Sequence, residues 1–311
     1  MLHTLVGDIP REEFMLSGHN GCPGCGPALA VRYLIKVSGP EAVIVIPASC
    51  WSIISGVEPF RSLKTVVLHC PFPAAAATGA GIKKGLEATG DTRTQVIVLA
   101  GDGATFDIGL QGLSGAAERN EDIIYICYDN EAYMNTGTQR SSASPFGSLS
   151  TTTPAPKMKS SPKKDIMKIM AAHEIPYAAT ATIAYPGDLL AKMRRAMQIK
   201  GFRFLHIFTP CMQGWGSPIE FTVRLSRLAV LTRLFPLYEV EDGERYRINY
   251  LPEEYMPVQA YLQGQKRFSS LQAADRAMLQ ERVERGWRAL CHKAGADPAI
   301  PPPPPRADLP V

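Results

Sequence analysis

The sequence lacks any long apolar run. No stretch approaches the about 18 residues that a membrane-spanning helix needs, and the first residues, Met-Leu-His-Thr-Leu-Val-Gly-Asp, lack the apolar centre of a signal peptide. We therefore expect a cytoplasmic protein with no membrane partner. A strong charge imbalance is also missing, because 33 Lys and Arg against 29 Asp and Glu leave a net charge of +4. Such a small and dispersed charge gives no reason to expect a nucleic-acid partner.

Cysteine is sparse, with seven residues in a chain of 311. In a reducing compartment these are expected to be free thiols or metal ligands rather than disulfides. An internal repeat is also absent. The hydrophobic fraction of 45% suits an ordinary globular core, and the length suits one large α/β domain or two smaller ones.

Strand and helix patterns alternate along the chain. Residues 95–100 form a continuous apolar run typical of a central parallel strand, residues 110–119 have a helical pattern, and residues 123–128 form the next strand. This order predicts a mostly parallel, doubly wound α/β sheet with helices on both faces. The other predicted elements are strands at 43–47, 65–69 and 204–208, helices at 27–38, 74–87, 165–173, 187–199, 221–234 and 271–291, and a hairpin at 238–251.

Two polar segments follow neighbouring predicted strands. Gly101-Asp102-Gly103 comes after the first, and Asp129-Asn130 comes after the second. A carboxylate, an amide oxygen and the backbone carbonyl of Ala132 are ligands that Mg²⁺ accepts, and glycine lets backbone amides approach phosphate oxygens. The pattern favours a loop that holds a diphosphate through a divalent cation. The alternative is a tight turn with a helix cap at Asp107.

Four cysteines form a second set. Cys22 and Cys25 share a Cys-Pro-Gly-Cys turn, while Cys50 and Cys211 each follow a predicted strand. Four thiolates suit either zinc or a [4Fe–4S] cluster, and the spacing alone leaves both open. A thioredoxin-like redox pair is disfavoured, because the turn has a Pro-Gly interior and lacks a βαβ context.

Taken together, the motifs resemble one family. They are Gly18-His-Asn-Gly-Cys-Pro-Gly-Cys-Gly26, Gly101-Asp-Gly with Asp107-Ile-Gly, Tyr128-Asp-Asn-Glu-Ala-Tyr-Met-Asn-Thr-Gly137, and Gln139-Arg-Ser-Ser142. Across roughly residues 15–290 the chain is similar to the thiamine-diphosphate-binding β subunit of pyruvate:ferredoxin oxidoreductase and related 2-oxoacid oxidoreductases. The resemblance implies the thiamine-diphosphate-binding α/β fold.

The resemblance also implies particular site residues. A [4Fe–4S] cluster would be held by Cys22, Cys25, Cys50 and Cys211, and Mg²⁺ by Asp102, Asn130 and the Ala132 carbonyl. Asn135 would act catalytically beside the reactive thiazolium. The remaining expected contacts to thiamine diphosphate are Ser49, Gly101, Gly103, Ala104 and Thr136.

The implied activity is oxidative decarboxylation of a 2-oxoacid, with pyruvate first, to acyl-CoA and CO₂. Electrons would pass to the cluster and on to ferredoxin or another acceptor. The segment His69-Cys-Pro-Phe-Pro73 departs from the family pattern and favours, as an alternative, an aryl or branched 2-oxoacid such as phenylglyoxylate or 2-oxoisovalerate. Further alternatives are a non-redox thiamine diphosphate decarboxylase with a structural zinc, and a non-catalytic scaffold subunit.

One catalytic group is missing from this chain. Thiamine activation needs a carboxylate on the aminopyrimidine, and Glu58 and Glu87 are expected to be surface or capping residues. In the family this glutamate comes from a partner, so we predict activity only with alpha, gamma and ferredoxin-like delta subunits or their equivalents. The expected division is a cofactor and cluster domain at 1–237, an arm on a partner subunit at 238–295, and a Pro-rich tail at 296–311.

Residues 136–164 are rich in Ser, Thr, Pro and Lys and predict a long loop. Its four lysines are Lys157, Lys159, Lys163 and Lys164. They are expected either to be solvated or to face an acidic partner or a coenzyme A phosphate.

Overall fold

A computed structural model describes residues 9–252 and 255–296, and the predicted Pro-rich tail lies outside these residues except for Ala296. The described strands form one eight-stranded sheet in the order β2-β1-β3-β4-β6-β5-β7-β8. Their bounds are β1 Val43–Pro47, β2 Val66–Cys70, β3 Val96–Gly101, β4 Ile124–Asp129, β5 Tyr177–Thr182, β6 Arg203–Phe208, β7 Tyr238–Glu241 and β8 Arg245–Ile248.

The first six strands are all parallel. The strands β1, β3, β4 and β6 are consecutive neighbours in the sheet, so their carboxyl ends share one edge. Cys50, Asp102, Asn130 and Cys211 all follow these four strands directly or within a few residues. The topology therefore brings the two sequence-predicted sets to the same edge of the sheet.

Helices cover both faces of the sheet. Alternate residues of a strand point to opposite faces; on β3, Ile97 and Leu99 join one buried core and Val96 and Val98 the other. The described α-helices are α1 Gly26–Ser38, α2 Cys50–Ile54, α3 Ala75–Ala88, α4 Leu110–Glu118, α5 Ile166–Ala171, α6 Pro186–Gln198, α7 Met212–Trp215, α8 Thr222–Leu231, α9 Val258–Leu262 and α10 Ala273–Ala294. α1 and α6 pack on the first face, and α3, α4 and α5 pack on the second. The predicted doubly wound α/β architecture is confirmed.

The strand β5 was not predicted. Its sequence, Tyr-Ala-Ala-Thr-Ala-Thr, is rich in alanine, which has a low intrinsic preference for strands. All six of its residues are nevertheless buried, because β6 pairs with one side, β7 pairs with the other, and helices cover both faces. Tertiary burial rather than local propensity makes this segment a strand.

The predicted hairpin at 238–251 is present as β7 and β8. β7 runs antiparallel to β5 and so extends the main sheet, while β8 forms the outer edge. The division predicted between residues 237 and 238 therefore falls at a strand of the common sheet, and the contact of residues 238–295 with a partner subunit stays a prediction. Among the described helices, none combines the length and apolar character required to span a bilayer.

Candidate cofactor and metal site

Three oxygen-bearing groups meet at the ends of β3 and β4. One terminal atom of the Asn130 amide lies 3.0 Å from Asp102 Oδ1 and 3.0 Å from the Ala132 carbonyl oxygen. With its NH₂ at this position, the amide donates two hydrogen bonds. With its oxygen there, the three groups present an all-oxygen triad. Mg²⁺–oxygen distances of about 2.0–2.1 Å place neighbouring octahedral ligands about 2.9 Å apart, so the two measured distances match octahedral edges.

Asp102 is almost completely buried at the end of β3. Its Oδ2 accepts a hydrogen bond of 2.5 Å from the Ser141 hydroxyl, which leaves Oδ1 directed at the Asn130 amide. Burial first, and then the neighbouring Asp129 carboxylate, raise the pKa of Asp102 well above its ordinary value. A cation at the triad would supply the positive charge that a buried carboxylate needs.

A π-helical turn, Gly103–Asp107, follows Asp102 and is largely buried. A Cβ at Gly103 would lie 2.1 Å from Cε1 of Tyr133, so glycine is required here for the aromatic ring. The Tyr133 hydroxyl donates to Asp107 Oδ2 at 2.8 Å. Asp107 is therefore bonded to the segment that follows β4, in addition to lying near the start of α4.

The Asp129–Ala132 backbone is held by residues that are distant in the sequence. Trp215 Nε1 donates to the Asn130 carbonyl at 2.9 Å. The Ser144 hydroxyl donates to the Glu131 carbonyl at 2.6 Å, and the Glu131 amide donates to Asp129 Oδ1 at 2.9 Å. Glu131 adopts φ of 67°, a left-handed conformation that is uncommon for a residue with a side chain. These bonds fix the direction in which Asn130 and Ala132 face Asp102.

Beneath this segment lies a network of buried charges. Lys163 Nζ is 2.5 Å from Asp129 Oδ2 and 2.8 Å from Glu131 Oε1. Arg267 pairs with the other Glu131 oxygen at 2.7 Å, and His206 Nε2 lies 2.7 Å from Asp129 Oδ2. Burial alone would raise the pKa of Asp129, but Lys163 and His206 hold it at about 2. The network supplies positive charge and hydrogen-bond donors to both buried carboxylates.

The sequence did not predict the residues that hold the Asp129–Ala132 segment, which are Lys163, Glu131, Arg267, His206 and Trp215. Each is unremarkable in its local context, and only the fold brings them to Asp129. A signal was available for Glu131 alone, because it follows Asp129-Asn130 directly within the family motif.

Three lysines of the long loop are bonded within this chain and are not simply solvated. Lys159 is buried and donates to the carbonyls of Ser144 and Pro162, at 2.5 and 2.9 Å. Burial, aided by nearby Arg140 and Lys163, lowers the pKa of Lys159 to about 8. Lys164 donates to the Phe106 carbonyl. Of the four lysines, only Lys157 is fully exposed, so most of them bind this chain's own backbone and carboxylates.

Replacing Lys163 with methionine is expected to lower the free energy of unfolding by about 3 kcal/mol, because the buried Asp129 carboxylate loses its lysine partner and Glu131 loses one of its two cations. The matched control is Lys157→Met, which changes an exposed lysine of the same loop and should stay within about 0.5 kcal/mol of the parent. Chemical denaturation of both variants measures the difference. Equal midpoints for the two variants would mean that the ion pairs contribute nothing to stability.

The four cysteines of the second set are also brought together. The Cys22–Cys25 turn is closed by the Cys25 amide donating to the Cys22 carbonyl at 3.1 Å. The Gly26 amide donates to the Pro210 carbonyl at 3.2 Å, beside Cys211. Gly24 has φ of +70°, and an added Cβ would lie 2.6 Å from the Ile219 carbonyl oxygen. The turn is thus packed against the segment that carries Cys211.

Three of these thiols lie at helix starts: Cys25 precedes α1, Cys50 opens α2, and Cys211 precedes α7. The Gly214 amide donates to Cys211 Sγ at 3.4 Å. Burial raises the pKa of Cys25 to about 11 and that of Cys50 to about 12, with further contributions from the neighbouring cysteines. Cys50 also interacts electrostatically with Asp102, so the two sets are adjacent. Within residues 9–252 and 255–296, no three His, Cys, Asp or Glu side chains have the arrangement of a single-ion site.

The remaining predicted contacts lie around this edge. Gly101 and Ala104 flank Asp102 in the chain. Ser49 caps α2 and donates to the Pro47 carbonyl at 2.8 Å. Asn135 and Thr136 lie exposed on the turn from Met134 to Gly137. The structure therefore brings the Asp102 triad and the cysteine set together but leaves Asn135 and Thr136 on the open surface.

The mostly parallel, doubly wound sheet is the fold of a known class of proteins. The profile of the thiamine pyrophosphate enzyme C-terminal TPP-binding domain matches residues 57–207. A solved 2-oxoglutarate:ferredoxin oxidoreductase from Magnetococcus marinus has the same fold, with a TM-score of 0.56 and 21% identity, over 72% of this chain and 82% of that one.

Curated relatives identify the family. Pyruvate synthase subunit PorB of Methanocaldococcus jannaschii is 45% identical over 92% of this chain and 99% of its own length. Ketoisovalerate oxidoreductase subunit VorB of Pyrococcus horikoshii is 43% identical over 91% of this chain and 94% of its own. The chain belongs to the family of 2-oxoacid oxidoreductase β subunits.

Proposed function

We propose that this β subunit binds thiamine diphosphate with Mg²⁺ and carries a [4Fe–4S] cluster. With its partner subunits it would oxidatively decarboxylate a 2-oxoacid to acyl-CoA and CO₂ and pass electrons to ferredoxin or another acceptor. One observation carries this proposal. A terminal atom of the Asn130 amide lies 3.0 Å from both Asp102 Oδ1 and the Ala132 carbonyl oxygen, and the thiol of Cys50 is nearby.

The triad fits a diphosphate-bound Mg²⁺ in ligand type and spacing. Asp102 supplies the anionic oxygen, Asn130 turns its amide oxygen toward the ion, and the Ala132 carbonyl completes the protein ligands. The bonds from Trp215 and Ser144 hold the two peptide groups that flank Asn130 and Ala132. When bound, thiamine diphosphate supplies the nucleophilic carbon and the electron sink for CO₂ loss. The role proposed for this chain is to position the cofactor and to neutralise its phosphates.

The thiol set fits an iron–sulfur cluster. Cys22, Cys25, Cys50 and Cys211 neighbour one another, and positively charged iron would favour their thiolate forms. The N–H group of Gly214 already donates to Cys211 Sγ, and such bonds tune the potential of a cluster. Because Cys50 is near Asp102, a cluster here would receive electrons close to where they are released.

Pyruvate is the first substrate proposed, since PorB relatives bear the name pyruvate synthase. A branched 2-oxoacid is the second, because VorB relatives are nearly as similar. Phe72, from the unusual His69–Pro73 segment, packs edge-on against Tyr133 with ring centroids 6.0 Å apart. Tyr133 stands two residues before Asn135, so Phe72 is a candidate for setting the size of the accepted side chain.

Partner subunits are needed to complete the site. Glu58 pairs with Arg61, and Glu87 pairs with Lys84 on the surface of α3, in line with the surface roles expected for both glutamates. Glu131 is buried, and both of its carboxylate oxygens already form ion pairs, one with Lys163 and one with Arg267. We propose that the activating glutamate, and contacts to the exposed Asn135 and Thr136, come with the alpha, gamma and ferredoxin-like delta subunits or their equivalents.

Two preparations test this proposal: the chain purified alone and the chain co-purified with its partners. Each is assayed with pyruvate, 2-oxoisovalerate and phenylglyoxylate, with coenzyme A and ferredoxin present. Turnover is expected in the complex only, and fastest with pyruvate. Full turnover by the chain alone would contradict the partner-supplied glutamate. A zinc-containing, iron-free complex that decarboxylates without reducing ferredoxin would favour the non-redox alternative.

A further inference from the structure

The Cys22–Cys25 turn is the part of the thiol set that reaches solvent. Cys22 is exposed, whereas the other three thiols of the set are only partly exposed. The two residues between Cys22 and Cys25 are exposed as well. A redox centre held by these thiols would therefore be nearest to solvent at this turn.

The segment that leads into α8 borders the turn. The Thr222 hydroxyl donates to the Gly24 carbonyl at 2.7 Å. The Ile219 carbonyl oxygen lies so close to Gly24 that an added Cβ would be 2.6 Å from it. The start of α8 and the exposed part of the turn are therefore in direct contact.

A third segment continues this surface. An added Cβ at Gly264 would lie 3.4 Å from the Phe221 ring, and one at Gly216 would lie 2.8 Å from Cβ of Lys266. The three segments thus contact one another in turn. We call the surface that they form the turn face, and it comprises residues 22–24, 216–227 and 264–266.

The turn face has an apolar centre. Ile219 is 52% exposed and Val223 is 39% exposed, and they lie about one helical turn apart at the start of α8. Exposed apolar side chains surrounded by a polar rim are the usual arrangement of a protein–protein contact. The charges of the rim then indicate which kind of partner fits.

The rim of the turn face is mainly positive. Its exposed charged residues are the cations Arg224, Arg227 and Lys266 and the carboxylate Glu220. Within the part of the chain that the structure describes, none of these four side chains forms an ion pair. The Arg224 guanidinium lies 4.8 Å from the centre of the Phe221 ring, which supports it at the surface. Cations that are not neutralised within their own chain attract an acidic partner and speed its association.

We propose that the turn face is the docking surface for a small acidic electron-carrier protein that binds reversibly. This inference rests on the [4Fe–4S] cluster proposed above and adds the place where its electrons leave the chain. In each transfer the cluster loses one electron and is oxidised, and the carrier gains that electron and is reduced. The three cations of the rim pair with carboxylates of the carrier, and Ile219 and Val223 form the apolar centre of the contact. A second copy of this chain fits less well, because it has a net charge of +4 and would present the same cations.

Reduction of a ferredoxin with an acidic surface by the co-purified complex tests the docking. Arg224→Glu and Lys266→Glu should each raise the KM for ferredoxin about tenfold at low ionic strength. The increase should shrink as salt is added, because salt screens exposed charges. Methyl viologen is a small acceptor that needs no docking surface, so its reduction should stay within about twofold of the parent rate in both variants.

Arg93→Glu is the matched control. Arg93 is exposed and lies shortly before β3, at the edge of the sheet opposite the thiol set, so its reversal should leave the KM for ferredoxin unchanged. Ile219→Ala should raise this KM with little dependence on salt, because it removes an apolar contact. Circular dichroism and iron content verify that each variant is folded and loaded. Arg224→Gln and Lys266→Gln remove the charge without reversing it, and they decide the matter if a glutamate variant does not fold.

Three outcomes would overturn the proposal. The first is an unchanged KM for ferredoxin in the Arg224 and Lys266 variants while viologen reduction is intact, which would leave the proposed function standing. The second is loss of a stably bound subunit from these variants, which would show that the turn face holds a permanent partner. The third is a parent complex that reduces neither acceptor, which would contradict the proposed function as well.

Discussion

Asp102→Asn is expected to weaken thiamine diphosphate binding in the presence of Mg²⁺ at least about a hundredfold, which is about 2.8 kcal/mol. The substitution removes the only carboxylate of the oxygen triad, while the amide keeps the size and one oxygen of the original side chain. A neutral amide is a much weaker Mg²⁺ ligand than a carboxylate. Turnover of the complex should fall at least as far as cofactor binding does.

The same substitution should not destabilise the fold. Asp102 is buried, and burial together with Asp129 already disfavours its charged form. Removing an uncompensated buried charge is neutral or stabilising. Calorimetric titration with thiamine diphosphate and Mg²⁺, alongside thermal unfolding, measures both effects. Asp91→Asn is the control, since the Asp91 carboxylate lies in the loop after α3 and accepts hydrogen bonds from Arg93 and Thr94. Unchanged cofactor affinity in Asp102→Asn would rule out the triad as the Mg²⁺ site.

The second large effect is expected at the cysteines. Cys25→Ser should remove the cluster and cut ferredoxin reduction about a thousandfold or more, because a serine hydroxyl replaces one of the four thiolate ligands. Thiamine diphosphate binding should change less than about twofold, because the Asp102 triad is built from different segments. The two sites are therefore separable by mutation.

Iron and acid-labile sulfide analysis measures the loss directly. The parent complex should hold about four iron and four sulfide per chain beyond those of its partner subunits, and the Cys25→Ser complex should lose them. Cys70→Ser is the control, because Cys70 ends the edge strand β2 outside the four-thiol set. If the variant keeps its iron, or if the parent chain carries one zinc instead, then the cluster assignment is wrong.

Local patterns sufficed for much of the fold. The apolar runs that became β1, β3, β4 and β6 are short, and each ends at a motif residue or within a few residues of one. Since parallel strands share their carboxyl edge, the order of these runs was enough to bring Asp102 and Asn130 together. Local pattern did not predict β5, because its alanine-rich sequence becomes a strand only where neighbouring strands and helices bury it.

The long loop shows where such reasoning stops. Its lysines have the composition of a solvated segment, yet Lys163 is bonded to two carboxylates that precede it by 34 and 32 residues. Arg267, still further along the chain, completes the same network. Nothing in the local sequence distinguishes Lys163 from the exposed Lys157.

By itself, the sequence determined which residues can act as ligands and at which edge of the sheet they lie. Residue type sets the ligand chemistry, and the order of the apolar runs sets which strand each ligand follows. The tertiary structure alone decided which charges are buried and how the Asn130 amide is oriented toward Asp102. Those properties depend on long-range packing, which sets the solvent exclusion and the distances between groups that are far apart in sequence.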